Sequence, residues 1–205
     1  MNFAGLLLSF GLLVIAMTAH EFAHALTAYK LGDNTAKFSG RLTLNPLAHI
    51  DLFWTILMPL VLYISSGGHF VFGAAKPVPI NYWSLRRPKT DMMLIGFSGP
   101  AANFLLAIAL SVLIKILPTG PIVYFLATQL IAINVVLGVF NLIPIPPLDG
   151  SRVLMGLLPE NLAYRYALLE PYGFIIISAL LFLGPLGALI WPLVRLILAL
   201  LGVSA

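Results

Sequence analysis

The stretch "NFAGLLLSFGLLVIAMTAHEFAH" at residues 2–24 decides how this chain is read. From Asn2 to Ala19 it carries no Lys, Arg, Asp or Glu. An uncharged apolar run of about eighteen residues or more reads as a helix entering a bilayer. The run passes without a break into His20, Glu21 and His24. Ionisable groups at the end of such a span are expensive unless they are paired or hold a metal. On a helix, positions i and i+4 face the same way, so His20 and His24 can offer two imidazoles to one ion. Glu21, offset by one position, can stand beside the metal and hold a water. That is the physical content of the H-E-x-x-H zinc site. The segment lacks the basic start and small-residue cleavage site of a secretory leader, so it is expected to remain in the mature protein.

Composition extends this reading to the whole chain. Of 205 residues, 60% are hydrophobic and 9% charged, against about 45–50% and 25% in soluble domains. Mean hydropathy is +1.03. Too few polar side chains remain to cover a soluble surface of this size. The absence of cysteine excludes disulfide scaffolds, thiolate metal sites and cysteine nucleophiles. A net charge of +4 reads as membrane topology, and no nucleic-acid partner is expected.

Four further charge-poor stretches follow, at 52–75, 92–114, 116–148 and 171–194. The strongly apolar part of the first of these, "LFWTILMPLVLYI" at 52–64, would reach only about 20 Å as a helix, short of a bilayer core of about 30 Å. Pro59 interrupts it, and the pattern suits a re-entrant or interfacial element. Lys30, Lys37, Arg41, Lys76, Arg86, Arg87 and Lys89 make up seven of the eleven basic residues. They share one face only if 52–64 does not cross. The expected fold is therefore an all-α integral membrane protein, a polytopic helical bundle with its metal site inside the membrane region. It forms one domain, 1–205, with core segments 2–29, 92–117 and 121–150, and an embedded region at 42–80. A C-terminal helical region at 171–203 is either one tilted helix or two hinged at "LGPLG", 183–187. The N-terminus is expected outside a cell membrane crossed several times, with the site opening toward the cytoplasm.

A catalytic zinc site needs a third protein ligand and an open position. Asp149 is the carboxylate that directly follows a long apolar run, in "NLIPIPPLDGSRV". Pro144, Pro146 and Pro147 forbid a regular helix there, and such backbone is tolerated at membrane depth where it lines a wet cavity. The alternative role for Asp149 is to cap a helix beginning at Gly150. Two amides in apolar surroundings, Asn103 and Asn141, demand partners. They either join helices or clamp a substrate backbone and donate toward an oxyanion. "KPVPIN" at 76–81 reads as extended, either a plain loop or a strand-like contact for an opened peptide.

With "HEFAH", "GPAAN" and "NLIPIPPLDG" in order, the chain resembles the site-2 protease family of intramembrane zinc metalloproteases, the peptidase M50 type. "LGDNTAKFSGRLTLNPLAHID" (31–51) and "FGAAKPVPIN" (72–81) are similar to its compact prokaryotic branch, without a PDZ or CBS domain. The resemblance implies one Zn2+ per chain held by His20, His24 and Asp149, and Glu21 as catalytic base. It also implies Asn103 and Asn141 in substrate binding or transition-state support. The implied partners are transmembrane segments of substrate proteins, and an upstream protease or a regulatory membrane protein. Two other readings stay open from the residues. One is a membrane-bound zinc peptidase acting on juxtamembrane or soluble peptides. The other is a non-catalytic metal-binding protein or transporter.

Overall fold

The computed structural model describes residues 3–65, 67, 73 and 75–203. The described residues form helices and irregular connections, with no strand among them. Helix α1 (Phe3–Lys30) runs for 28 residues without a proline, about 42 Å at the rise of an α-helix. It passes uninterrupted through His20 and His24, so the H-E-x-x-H motif lies within the helix rather than at its end. Lys30 occupies the last turn, where a cation complements the helix dipole.

After α1 the chain makes the short helix α2 (Thr35–Phe38) and a single turn at Pro46–His49. A π-helical turn, Leu52–Leu57, then leads into α3 (Met58–Ser65). Asp51 caps this element, its Oδ1 accepting from the N–H groups of Phe53 and Trp54 at 2.9 Å each. The combined helix Leu52–Ser65 is too short to cross a membrane. The rest of the embedded region around residues 66, 68–72 and 74, with His69 among them, lies outside the described residues.

Helix α4 (Pro88–Ile116) begins on a proline, and its first-turn Asp91 accepts the N–H of Arg87 at 2.9 Å. It runs antiparallel to α1. Ala16 and His20 face Asn103, whereas His24 faces Ile95. The chain therefore leaves α1 and enters α4 at the same end of the bundle. The basic residues from Lys30 to Lys89 flank that end.

Helix α5 (Pro121–Asn141) follows, again opening on a proline. Within the apolar run 116–148 the backbone divides where its prolines require. Its helix stops at Asn141, and 142–148 is an irregular connection, because Pro144, Pro146 and Pro147 cannot donate to a helical ladder. Helix α6 (Asp149–Leu157) then begins on the aspartate itself.

Helices α7 (Glu160–Ala167) and α8 (Gly173–Phe182) depart from the sequence expectation. Together they make a span-length apolar stretch, Glu160–Phe182, which starts eleven residues before Pro171. Helix α9 (Pro185–Leu201) completes the fold. The C-terminal region is thus two helices after Pro171, hinged at Gly184. That residue takes φ +89°, a conformation cheap only for glycine.

The main core lies where α4, α5 and α9 meet. It contains Ala107, Ile131, Val135, Ile190, Val194 and Leu198. On α9 the buried residues Leu186, Ile190, Val194 and Leu198 repeat every four positions, a single stripe facing inward. The opposite faces stay apolar. Ile122 is 75% and Phe182 82% exposed, which suits contact with lipid rather than water. Among the described residues, four helical stretches are long and apolar enough to span: Leu7–Lys30, Pro88–Ile116, Pro121–Asn141 and Glu160–Phe182. The protein is a multi-pass membrane protein.

Candidate active site

The histidines of α1 and the first residue of α6 come together against α4. His20 Nε2 lies 2.9 Å from Asp149 Oδ2, and His24 Nε2 lies 3.2 Å from the same oxygen. The two Nε2 atoms are 3.0 Å apart. All three residues are buried. Asp149 does not cap its helix, whose N-cap is Leu148 without a side-chain bond. Its carboxylate is free to face the imidazoles, with the Arg152 guanidinium 3.9 Å from the other oxygen.

The remaining ring nitrogens fix what these atoms can do. His24 Nδ1 is 2.7 Å from the carbonyl oxygen of Ile95. A carbonyl only accepts, so Nδ1 carries the proton and Nε2 of the neutral ring is bare. His20 Nδ1 is 2.6 Å from Asn103 Oδ1. The Asn103 amide nitrogen donates to the Ala16 carbonyl at 3.2 Å and to Asn134 Oδ1 at 2.8 Å. This sets the orientation of the amide and leaves His20 Nε2 bare as well. Two lone pairs and a carboxylate oxygen thus point at one another with no proton between the imidazoles. That arrangement suits a cation.

Glycine supplies the room. A Cβ built on Gly99 of α4 would lie 2.4 Å from His24 Nε2 and 2.6 Å from His20 Nε2. Any side chain there would enter the space onto which both lone pairs open. Gly150 likewise lets the backbone after Asp149 press against Leu142, where a Cβ would sit 2.2 Å from the carbonyl oxygen. The ligand triangle has edges close to the roughly 3.3 Å expected between ligands of a tetrahedral ion with bonds of about 2.0–2.1 Å. Two neutral imidazoles and one carboxylate form a donor set that fits zinc, with a fourth position left for water or substrate.

Glu21 stands next to this cluster, half-buried. Its Oε2 accepts the backbone N–H of Val78 at 3.2 Å. Asn103 is wholly buried, and its side chain is bonded to His20, Ala16 and Asn134. It orients a ligand ring, as groups behind a metal ligand commonly do. Asn141 is not brought into the cluster. Its amide donates to the Leu137 carbonyl one turn back, at 3.0 Å. Asp51 and Asp91 serve helix starts, as described above. Sequence reasoning passed over Asn134, although an amide amid "AINVV" carried the same signal as Asn103. It also passed over the Ile95 carbonyl and the Val78 N–H, which no residue type announces.

A multi-pass helical bundle with an H-E-x-x-H helix and a third carboxylate ligand inside it defines a membrane metallopeptidase. The sequence model described as peptidase family M50 matches residues 7–124 and 115–183. The chain belongs to peptidase family M50. It is 39% identical over 195 residues to a protein named "Putative zinc metalloprotease YwhC" from Bacillus subtilis (strain 168), covering 89% of this chain and 84% of the relative. It is 32% identical over 194 residues to "Putative zinc metalloprotease Rip2" from Mycolicibacterium smegmatis (strain ATCC 700084 / mc(2)155), covering 94% of this chain and 73% of the relative. No solved structure matches it.

Proposed function

We propose that this zinc-dependent metalloendopeptidase hydrolyses peptide bonds within or near transmembrane segments of other membrane proteins. The observation that carries the reading is the depth of the donors. His24 and His20 lie six and ten residues before the Lys30 end of a span-length helix, about 9 Å and 15 Å along its axis. Seven basic residues flank that end of the bundle, which supports a site opening toward the cytoplasm.

When bound by His20, His24 and Asp149, zinc supplies a Lewis acid that polarises the scissile carbonyl and acidifies the attacking water. Glu21 accepts the water proton on the oxygen not engaged by Val78 and then returns it to the leaving amide nitrogen. His24 and His20 keep their orientation through Ile95 and Asn103. A substrate helix must unwind before its carbonyl reaches this site, and helix-breaking residues in the substrate lower that cost. The partners are therefore substrate transmembrane segments, made available by an earlier cleavage or by a regulatory membrane protein.

Glu21→Gln tests the reading. It preserves size and keeps an acceptor for Val78 but removes the base. Purified wild type and variant, reconstituted with a transmembrane substrate, should hold equal zinc. Cleavage by the variant should fall about 100-fold to 10,000-fold. Wild-type rates in the variant would remove Glu21 from the chemistry. Cleavage of short soluble peptides, with no transmembrane segment cut, would assign the enzyme to juxtamembrane or soluble substrates instead.

A further inference from the structure

Besides Asp91 at the start of α4, two described charged residues are buried away from the metal cluster. Asp33 is 0% and Arg41 7% exposed, and burying a charge is unfavourable unless strong bonds compensate it. Both are bonded to the ends of one segment. Asp33 Oδ1 accepts from the Thr35 N–H at 2.9 Å and from the Thr35 hydroxyl at 2.5 Å, and Oδ2 accepts the N–H of Asn81 at 2.7 Å. The Arg41 guanidinium donates to the carbonyl of Ala48 and, at 3.5 Å, to that of Lys76. The Lys76 N–H donates in turn to the His49 carbonyl at 2.9 Å. Residues 76–81 are therefore tied down at both ends.

The middle of the segment lies on the site. Val78 is buried in a small cluster with Ala25 and Ala36, packed by Leu42 and Ile80. Ala25 follows His24 directly on α1. Pro77 and Pro79 have no N–H, and each forces an extended conformation on the residue before it. Between Lys76 and Ile80, Val78 thus holds the one backbone donor, and that donor is on Glu21 Oε2. A glutamate has several rotatable bonds, and a half-buried one beside a metal cluster can swing away from the reacting atoms. Holding one oxygen leaves the other presented in a single direction, the pre-organisation a base requires.

We infer that residues 76–81 are a backbone clamp on Glu21, with the Val78 N–H as its contact and Asp33 and Arg41 as the positioning residues that hold it in place. The functional part of this inference rests on Glu21 being the base; the contact itself does not. The clamp differs from both sequence readings of "KPVPIN", a plain loop and a strand-like contact for substrate, because the Val78 N–H is engaged by Glu21.

The chain offers a direct probe. Pro77–Val78 is its only Pro-Val pair, so carbonyl-13C proline with 15N valine labels a single amide for NMR of the full chain in detergent micelles. Hydrogen exchange at that amide should be roughly tenfold faster or more in Glu21→Ala than in wild type, the scale of one hydrogen bond to a charged group. Asp33→Ala should speed it in the same direction. Equal exchange in wild type and Glu21→Ala overturns the clamp. A second arm compares Val78→Ala, which keeps the N–H, with Val78→Pro, which removes it. On the transmembrane peptide that wild type cleaves, kcat should fall roughly tenfold or more in Val78→Pro relative to Val78→Ala. KM and zinc content should be unchanged. Equal kcat in the two, with full zinc, overturns the positioning role. If Val78→Pro does not fold, the exchange comparison decides. If wild type itself cleaves no transmembrane peptide, the proposed function fails while the amide measurement still reads the clamp.

Discussion

Gly99→Ala should weaken zinc binding by at least about 100-fold while leaving the helix that carries it intact. The added methyl would lie 2.4 Å from His24 Nε2, 2.6 Å from His24 Cε1 and 2.6 Å from His20 Nε2. Ordinary contact between such atoms begins near 3.5 Å, so each ring must withdraw by about 1 Å. Neither is free to do so. His24 is held to the Ile95 carbonyl and His20 to Asn103. Zinc tolerates about 0.2 Å of error in a ligand distance. Disturbing only the groups behind a ligand weakens metal binding about 10-fold to 100-fold. Displacing two ligands together should therefore weaken it by at least about 100-fold, or 2.7 kcal/mol. The assay is zinc per chain after equilibration against a series of chelator-buffered zinc concentrations. Helical content by circular dichroism serves as the check on folding. Gly11→Ala is the matched control, since the same methyl there meets nothing within 4 Å. It should bind zinc as wild type does and stabilise α1 by roughly 0.5–1 kcal/mol. Wild-type zinc affinity in Gly99→Ala would refute the placement of the metal between these rings.

Three further outcomes follow from the same geometry. Asp149→Ala should leave less than stoichiometric zinc at concentrations that saturate wild type, because two imidazoles alone cannot complete the site; full occupancy would point to another third ligand. Asn103→Ala should weaken zinc about 10-fold to 100-fold by freeing the His20 ring. It should also lower stability by about 1–3 kcal/mol, because Asn134 loses a buried partner; a variant unchanged in both would remove the amide from the metal's support. Single cysteines at Lys37 and Arg87, in a chain with none of its own, should both react with an impermeant thiol reagent from the cytoplasmic side only. Labelling from opposite sides would require the segment Leu52–Ser65 to cross.

The helical class and the course of α1 were legible because charge-free runs leave a chain few places to be. The short second segment was legible too, since thirteen residues cannot reach across a bilayer whatever their hydrophobicity. Where the reading slipped, hydropathy was silent. It started the last region at Pro171, because the charge-free run begins only after Glu170; in the fold Glu160, Arg165 and Glu170 lie on helices leading into α8. The hinge at Gly184 was named as an alternative and could not be chosen, since a glycine can follow either backbone.

The site divides in the same way, between side chains and main chain. His20, His24 and Asp149, which the fold brings together, stood out with Glu21 because imidazoles and carboxylates are rare and costly in apolar surroundings. Asn134 could have been found by the same rule. The atoms that give these residues their roles could not. Every residue has a carbonyl like that of Ile95 and nearly every one an N–H like that of Val78, so only the packing of α1 against α4 and the extended segment selects them. Gly99 shows the limit most sharply. In "GPAAN" it reads as a small residue that lets two helices approach. In the fold a side chain there would crowd the Nε2 atoms of both histidines. A sequence records which group stands at a position, but a metal cavity also depends on which group is missing there. That dependence becomes visible only when the two histidines and the glycine, some 75 residues apart along the chain, are placed on facing helices.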